Sequence, residues 1–349
     1  MKKERIPEYI MKLKRPGDMI IVMGAGNIKK VADELCEKLG GDAAPVNDNS
    51  IKRLKSLVKG KLKADEPLSS HTSFKIGGAA EAWFEPQDTD DLRKALAFAR
   101  NNRMPFFVIG NGSNILAKDK GSNGILIHLG SGYFKRIKFV GIDVHVGAGF
   151  SLPKLVHMCC RQGLAGLESL VGIPGTIGGA VYMNAGGWSS PIFRNIGEMV
   201  DSLKIMDGDG KVKILKKRDI EFGYRSSNLE KYIILEAVLR LKSGDKDALI
   251  SSASHFLKMK REKQVLDTPS AGCIFKNPPD SQFTCGQMID TLGLKGRRIG
   301  GAEVSTKHAN FIVNIGGATC KDVLDLAELV RGRVKENYGV ELEMEVKVV

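Results

Sequence analysis

Apolar and polar positions change period several times along this chain, and each change marks an element. Met19–Met23 is a continuous apolar run, the pattern of a buried strand, and Gly24-Ala25-Gly26 turns after it. Val31, Leu35 and Leu39 recur at helical spacing as far as Gly40-Gly41. Asp42–Ser50 is polar and predicts a linker. Ile51, Leu54, Leu57 and Val58 share one helical face with Lys52, Arg53, Lys55 and Lys59 around them. That pattern suits a lead-in helix with a solvated face; a membrane-surface helix is the other reading.

Short strands and glycine turns fill the middle. Phe106–Ile109, Gly124–Leu129 and Val144–Val146 read as strands, and Ser151–Gly163 reads as a helix. Residues 200–241 return to strand-like pieces around Asp207-Gly208-Asp209-Gly210. A helical pattern spans Asp245–Gln264. Thr319–Tyr338 is amphipathic, with Val323, Leu326, Val330 and Val334 on one face, Thr319-x-x-Asp322 as a capping box and Gly339 as its stop. Val340–Val349 predicts a closing strand. This mixture indicates α+β layers and not a strict βαβ alternation.

Composition narrows the class. The chain has 349 residues, enough for two or three domains, and its 42% hydrophobic and 27% charged content is that of a globular protein. The net charge is +13, which raises nucleic acid, a membrane surface or an anionic small molecule as partners. Residues 1–64 hold 15 of the 53 basic and 8 of the 40 acidic residues, so +7 sits there and only +6 on the rest. Lys2, Lys3 and Arg5 are not followed by an apolar run, so no signal peptide is expected. Six cysteines without a C-x-x-C pair suit reduced thiols in the cytoplasm, with no metal site expected.

Four segments carry candidate chemistry. Gly110-Asn111-Gly112-Ser113-Asn114 follows a strand, and Gly172-Ile173-Pro174-Gly175-Thr176-Ile177-Gly178-Gly179 lies in an uncharged stretch. Glycine turns let a phosphate approach successive amides, and tight ligand-free loops look the same. Neither matches a Walker loop or a dinucleotide fingerprint. Ser270–Pro278 places Cys273 ahead of Lys276 and Asn277, either a buried strand or a proton donor beside an anion clamp. Leu342–Val346 alternates so that Glu343 and Glu345 share one face. Tyr224-Arg225-Ser226 puts an arginine in a polar turn, the permanent cation that suits a developing anion.

In their order these segments resemble the UDP-N-acetylenolpyruvoylglucosamine reductases, flavoenzymes of peptidoglycan precursor synthesis. The likeness covers residues 51–349 through His71–Gly78 (HTSFKIGG), Gly110–Leu116 (GNGSNIL) and Gly166–Gly187 (GLESLVGIPGTIGGAVYMNAGG). It continues through Tyr224-Arg225-Ser226, Ala271–Pro278 (AGCIFKNP), Gly293–Ala302 (GLKGRRIGGA), Lys307–Asn314 (KHANFIVN) and the closing Leu-x-x-Glu-Val. The short spacing from Arg225 to Cys273 is similar to the branch without an extra tyrosine loop.

The resemblance implies two FAD-binding subdomains of the vanillyl-alcohol-oxidase type and a C-terminal α+β substrate domain. The implied boundaries are a lead-in at 51–76, an FAD-binding domain at 77–243, a substrate domain at 244–339 and a catalytic strand at 340–349. FAD is the implied cofactor and NADPH the co-substrate. Gly110, Asn111, Gly112, Ser113, Asn114, Gly172, Pro174, Gly175, Thr176, Gly178 and Gly179 would hold the FAD pyrophosphate. Arg225 and Glu345 match the family's catalytic pair. Tyr224, Lys276, Asn277 and Arg297 are implied substrate contacts. The family's proton donor is usually serine; here that position is Cys273. A thiol is the stronger acid, but it must stay protonated to donate. An accessible thiol there is expected to react with alkylating agents and to be shielded by substrate.

Residues 1–41 resemble the end of another family, the UDP-N-acetylmuramate–alanine ligases, over a strand and a helix. That implies a remnant of a fusion, or a fragment of a longer fused protein, joined through the linker at 42–50, and a candidate contact with a pathway enzyme. Competing readings are a sugar or lactone oxidase of the same fold, a nucleic-acid binder suggested by charge alone, and a docking module at residues 1–64. No nucleic-acid recognition motif is visible.

Overall fold

The computed structural model describes residues 48–186 and 195–349. The strand and helix expected within residues 1–41 lie outside the described residues. So does all but the end of the linker. Helix α1 (Asp48–Leu57) begins inside the stretch expected to be that linker. Asp48, Asn49 and Ser50 enter the first turn, where such residues are favoured. Of the apolar face, Leu54 is buried and Val58, just past the helix, packs on the same core, but Leu57 is 49% exposed.

The first lobe opens with β1 (Lys61–Pro67), β2 (Ala79–Glu85), α2 (Thr89–Asn101), β3 (Phe106–Ile109), β4 (Ile115–Leu116) and β5 (Ser122–His128). Their sheet has the order β1-β2-β5-β3, antiparallel at β1 and parallel after it. The Asp88 side chain accepts the Asp90 and Asp91 amides to start α2, whose Leu92, Ala95, Leu96 and Ala99 are buried.

A second subdomain follows with β6 (Ile137–Val140), β7 (Asp143–Gly147), α3 (Leu152–Arg161), β8 (Leu164–Ala165) and α4 (Ile177–Tyr182). It continues with β9 (Val200–Asp207), β10 (Val212–Lys216), β11 (Phe222–Gly223), β12 (Ser226–Ser227), β13 (Tyr232–Arg240) and β14 (Lys242–Ser243). Five of these strands form an antiparallel sheet in the order β10-β9-β13-β7-β6. The expected turn at 207–210 joins β9 to β10. One apolar core runs from Phe84 and Leu96 under the first sheet to Leu203 and Leu239 under the second.

The last lobe holds α5 (Lys246–Lys263), α6 (Cys285–Thr291), β15 (Arg298–Ile299), β16 (Ala302–Val304), β17 (Ile312–Asn314), α7 (Cys320–Tyr338) and β18 (Lys347–Val348). Helix α5 packs on α3 and on the turn at 168–170, so it lies against the second subdomain although its residues fall in the span 244–339. Helix α7 carries the expected capping box at Thr319 and Asp322, buries Val323, Leu326, Val330 and Val334, and ends at Gly339 with φ of 66°. The first lobe caps it too: Asp119 accepts the amides of Cys320 at 2.7 Å and Lys321 at 3.1 Å.

The closing segment is not the single strand that its alternation predicts. Met344 bridges Phe275 antiparallel, and then β18 runs parallel to β4 in the first lobe. It crosses between lobes, so no one sheet holds it throughout. Among the described residues no helix is long and apolar enough to cross a membrane.

Candidate active site

The two glycine turns face each other. A Cβ on Gly110 would lie 2.6 Å from Thr176 Oγ1, and one on Gly175 would lie 3.4 Å from Ser113 Oγ. Gly112 has φ of +60°, and its Cβ would sit 2.2 Å from the His71 carbonyl oxygen, so only glycine fits. Thr176 caps α4 by accepting the Gly179 amide, and Gly178 N–H bonds Ala148 O at 2.8 Å. A Cβ on Gly179 would meet only Thr176 Oγ1, at 3.5 Å, so space opens beyond it. Pro174 is exposed at the rim. Neither turn carries a charged residue. A cavity of about 290 Å³ adjoins the first turn, with Gly110, Asn111, His71 and His128 in its wall. His71 stacks on the buried Trp83 ring at 3.9 Å and reaches Glu66 with Nε2 at 2.8 Å. Burial lowers the His128 pKa and favours its neutral ring. These uncharged, glycine-rich turns, the first of them beside a polar cavity, fit the diphosphate and nucleoside of an FAD.

Asn114 faces elsewhere. Its Nδ2 donates to Glu345 O at 3.1 Å, and its own carbonyl accepts Lys347 N–H at 3.0 Å. The last residue of the first turn therefore grips the segment that carries Glu345.

The charged cluster is built from three elements. Strands β11 and β12 form a hairpin with Tyr224-Arg225 at its tip. Arg225 has φ of 53°, a left-handed conformation that costs a residue with a Cβ about 1–2 kcal/mol. The end of α4 holds this hairpin: Ser227 Oγ donates to Tyr182 O at 2.7 Å, and buried Asn184 donates to Gly223 O at 2.8 Å. Arg225 Nε donates to Glu345 Oε1 at 2.9 Å, and its Nη2 to Gly186 O at 3.3 Å. The segment 273–276 runs between two others. Ile274 N–H bonds Asn310 O, Glu345 N–H bonds Ile274 O, and Lys276 N–H bonds Glu343 O. Asn310 adds both halves of its side-chain amide, to Phe275 N–H and Phe275 O.

Cys273 is a free, half-buried thiol packed against Val265, Phe311 and Val313. Burial pushes its thiol up to about 12, the Glu345 charge adds to this, and Arg225 and Lys260 oppose it. The thiol is therefore neutral across the physiological range. Burial also raises the Glu345 carboxyl, against the pull of Arg225 and then Lys276.

The remaining expected contacts divide. Lys276 is 15% exposed and pairs with Glu343 at 2.7 Å, beside the cluster. Tyr224 accepts the Asn277 amide at 3.4 Å and lies under the Arg225 guanidinium at 5.3 Å. Asn277 spends its side-chain oxygen on Cys285 N–H at 3.0 Å. Arg297 is exposed on a turn whose backbone bonds Leu294 and Val304, and no hydrogen bond or ion pair joins it to the others. Sequence reasoning missed Asn310 and Lys260. Asn310 lies in the KHANFIVN segment, which hinted at it; for Lys260 nothing in the sequence did.

A family profile described as the C-terminal domain of UDP-N-acetylenolpyruvoylglucosamine reductase matches residues 264–349, and an FAD-binding domain profile matches residues 80–216. The chain is 41% identical over 300 residues to UDP-N-acetylenolpyruvoylglucosamine reductase 2 of Symbiobacterium thermophilum, covering 85% of this chain and 95% of that one. It is 42% identical over 290 residues to the same-named reductase of Alkaliphilus oremlandii, covering 82% and 92%. Among solved structures, UDP-N-acetylenolpyruvylglucosamine reductase of Thermus caldophilus superposes with a TM-score of 0.70 at 34% identity, over 83% of this chain and 98% of that one.

Proposed function

Because the chain belongs to the UDP-N-acetylenolpyruvoylglucosamine reductases, FAD-dependent enzymes of peptidoglycan precursor synthesis, we propose that it reduces the enolpyruvyl ether of UDP-N-acetylglucosamine to UDP-N-acetylmuramate, using NADPH. The observation that carries this reading is the Arg225–Glu345 pair set beside the neutral thiol of Cys273.

The turns at Gly110–Ser113 and Gly172–Gly179 would hold FAD, which when bound supplies hydride for C3 of the substrate. The chain's own residues then manage charge and proton. Addition at C3 leaves negative charge at C2 and on the adjoining carboxylate. The Arg225 cation, fixed by Glu345 and Gly186 O, favours that charge without rearranging. Cys273 S–H gives its proton to C2. Its raised pKa serves this role, since the thiol arrives protonated. Lys276, paired with Glu343, and Tyr224, under the Arg225 guanidinium, would hold the substrate's anionic groups.

Replacement of Cys273 tests the reading. Cys273→Ser is expected to retain substantial turnover, as serine is the usual residue there. Cys273→Ala is expected to let NADPH bleach the flavin but to lose reoxidation by the enolpyruvyl substrate. Full turnover by the alanine variant overturns the role of Cys273.

A further inference from the structure

One buried asparagine sits where three segments meet, and that scheme gives it no part. Asn310 is 4% exposed, and its own N–H bonds His308 Nδ1 at 3.2 Å. Helix α6 closes over it, since a Cβ on Gly286 would lie 3.8 Å from Asn310 Cβ. The tail uses Ile274 O and Lys276 N–H, at 2.8 and 2.9 Å, and these groups flank Phe275. The N–H and carbonyl of Phe275 are left to the opposite edge, where the chain turns back and Phe311 N–H bonds His308 O. There the Asn310 side chain takes both, accepting from Phe275 N–H at 3.0 Å and donating to Phe275 O at 2.8 Å. Its backbone carbonyl also accepts Ile274 N–H, at 2.9 Å.

We propose that Asn310 is a positioning residue for proton delivery, holding the segment that presents Cys273 at one end and Lys276 at the other. This rests on the reading of Cys273 as the C2 proton donor. Cys273 pairs with Phe311, next to Asn310, and Phe275 pairs with Met344, next to Glu345. Asn310 thus fixes the middle of a segment whose other edge carries Glu345, through Glu345 N–H and Ile274 O. One side chain keeps the donor thiol, the Lys276 ammonium and the Glu345 carboxylate in a common frame. A misplacement of about 1 Å can cost ~10²-fold in such a step.

The side chain suits this task. An amide offers one acceptor and one donor group in a fixed plane, and Phe275 presents an N–H and a carbonyl to match them. An ionised aspartate only accepts, and alanine reaches neither group. Either leaves buried backbone polar groups unpaired and the segment freer to shift. Both side-chain bonds go to backbone, so Asn310 acts on where Cys273 and Lys276 stand and not on their charge.

The two half-reactions of the Asn310→Ala holoenzyme, with and without Cys273→Ala, test the proposal. NADPH-dependent bleaching needs no proton donor and is expected at the wild-type rate. Reoxidation by saturating substrate is expected to fall ~10-fold or more. In the Cys273→Ala background the same substitution should cost nothing further, because no donor is left to misplace. A purely structural asparagine would slow both half-reactions or add its full cost to Cys273→Ala, and either result overturns the proposal. So does wild-type reoxidation by Asn310→Ala. If that variant does not fold, Asn310→Asp takes its place: its protonated carboxyl can make both bonds, its carboxylate only one. Its reoxidation rate relative to wild type should then fall as pH rises. His308 on its own segment, Cys273 and Glu345 on the neighbouring ones and Cys285 on α6 are common to both proteins, so the ratio isolates residue 310. A flat ratio from about pH 5 to about pH 9 overturns the proposal. Wild-type reoxidation by Cys273→Ala alone would instead overturn the donor reading on which it rests.

Discussion

Arg225 and Glu345 stand 120 residues apart in the chain and meet through one charge-assisted hydrogen bond of 2.9 Å. Both side chains are mostly buried, at 21% and 16% exposed. A pair so withdrawn from water is sensitive to loss of either partner, because the survivor keeps a dehydrated charge.

Two substitutions follow from this pair. Arg225→Lys keeps the charge but loses the planar fork that binds Glu345 and Gly186 O together. Glu345→Gln keeps the shape and removes the counter-charge. Each is expected to lower substrate-dependent flavin reoxidation by roughly 10²–10³-fold while NADPH-dependent bleaching stays near wild type. Stopped-flow absorbance distinguishes the two half-reactions. Equal slowing of both would assign the pair to flavin binding.

Asn114 is expected to matter for turnover more than for the cofactor. It holds the backbone on both sides of Val346 through Glu345 O and Lys347 N–H. Asn114→Ala should reduce kcat about 10-fold by loosening Glu345, with FAD affinity within a few-fold of wild type. Fluorescence titration of the apoprotein with FAD checks the second half. A collapse of affinity returns Asn114 to the cradle where its position in the sequence put it.

Two glycines with the same φ of +60° give a matched stability test. A Cβ on Gly112 meets the His71 carbonyl at 2.2 Å, whereas one on Gly141 meets nothing within 4 Å. Gly141→Ala bears backbone strain alone, about 1 kcal/mol. Gly112→Ala adds a collision with backbone and should lose roughly 3 kcal/mol. Urea unfolding curves measure both. Similar losses mean that the turn at Gly112 yields more easily than its contacts suggest.

The pH dependence of stability should carry the mark of Lys260. Its folded pKa is about 8 against a usual 10.5. Between those values the unfolded chain binds more protons than the folded one, so this group makes stability rise with pH from about 8 to about 10.5. Below about pH 8 the dehydrated cation is a full liability. Lys260→Met is expected to gain on the order of 2 kcal/mol at about pH 7 and to flatten the rise. An equal gain at about pH 9.5 assigns the titration to another group.

What could be read in the sequence was local or carried by family likeness. Helix α7 was legible from end to end, since Thr319, Asp322, the apolar face and Gly339 are signals within one segment. The face shared by Glu343 and Glu345 was legible from alternation, and the structure turns these carboxylates to Lys276 and Arg225. Their catalytic use came from the resemblance alone. Leu57 was misplaced because helical spacing shows which residues share a face and not how far a neighbour covers it. The break in the closing strand, the second cap of α7 by Asp119 and the seat of Lys260 were illegible for one reason. Each depends on a residue contributed from a distant lobe, and periodicity carries no record of that.

The threads that join the lobes are long. Asn114 to Glu345 spans 231 residues, Phe74 to Asn314 spans 240, Asp119 to Cys320 spans 201, and Ser73 to Ser270 spans 197. Contacts of that separation close large loops, and the closure entropy is offset only when both lobes already present finished surfaces. Folding should therefore build the sheets first and the Arg225–Glu345 cluster last. A population in mid-fold would have native-like circular dichroism and no reductase activity, because Arg225 would still lack Glu345. On this order, the closure that joins Arg225 to Glu345 would be the final step in the maturation of the molecule.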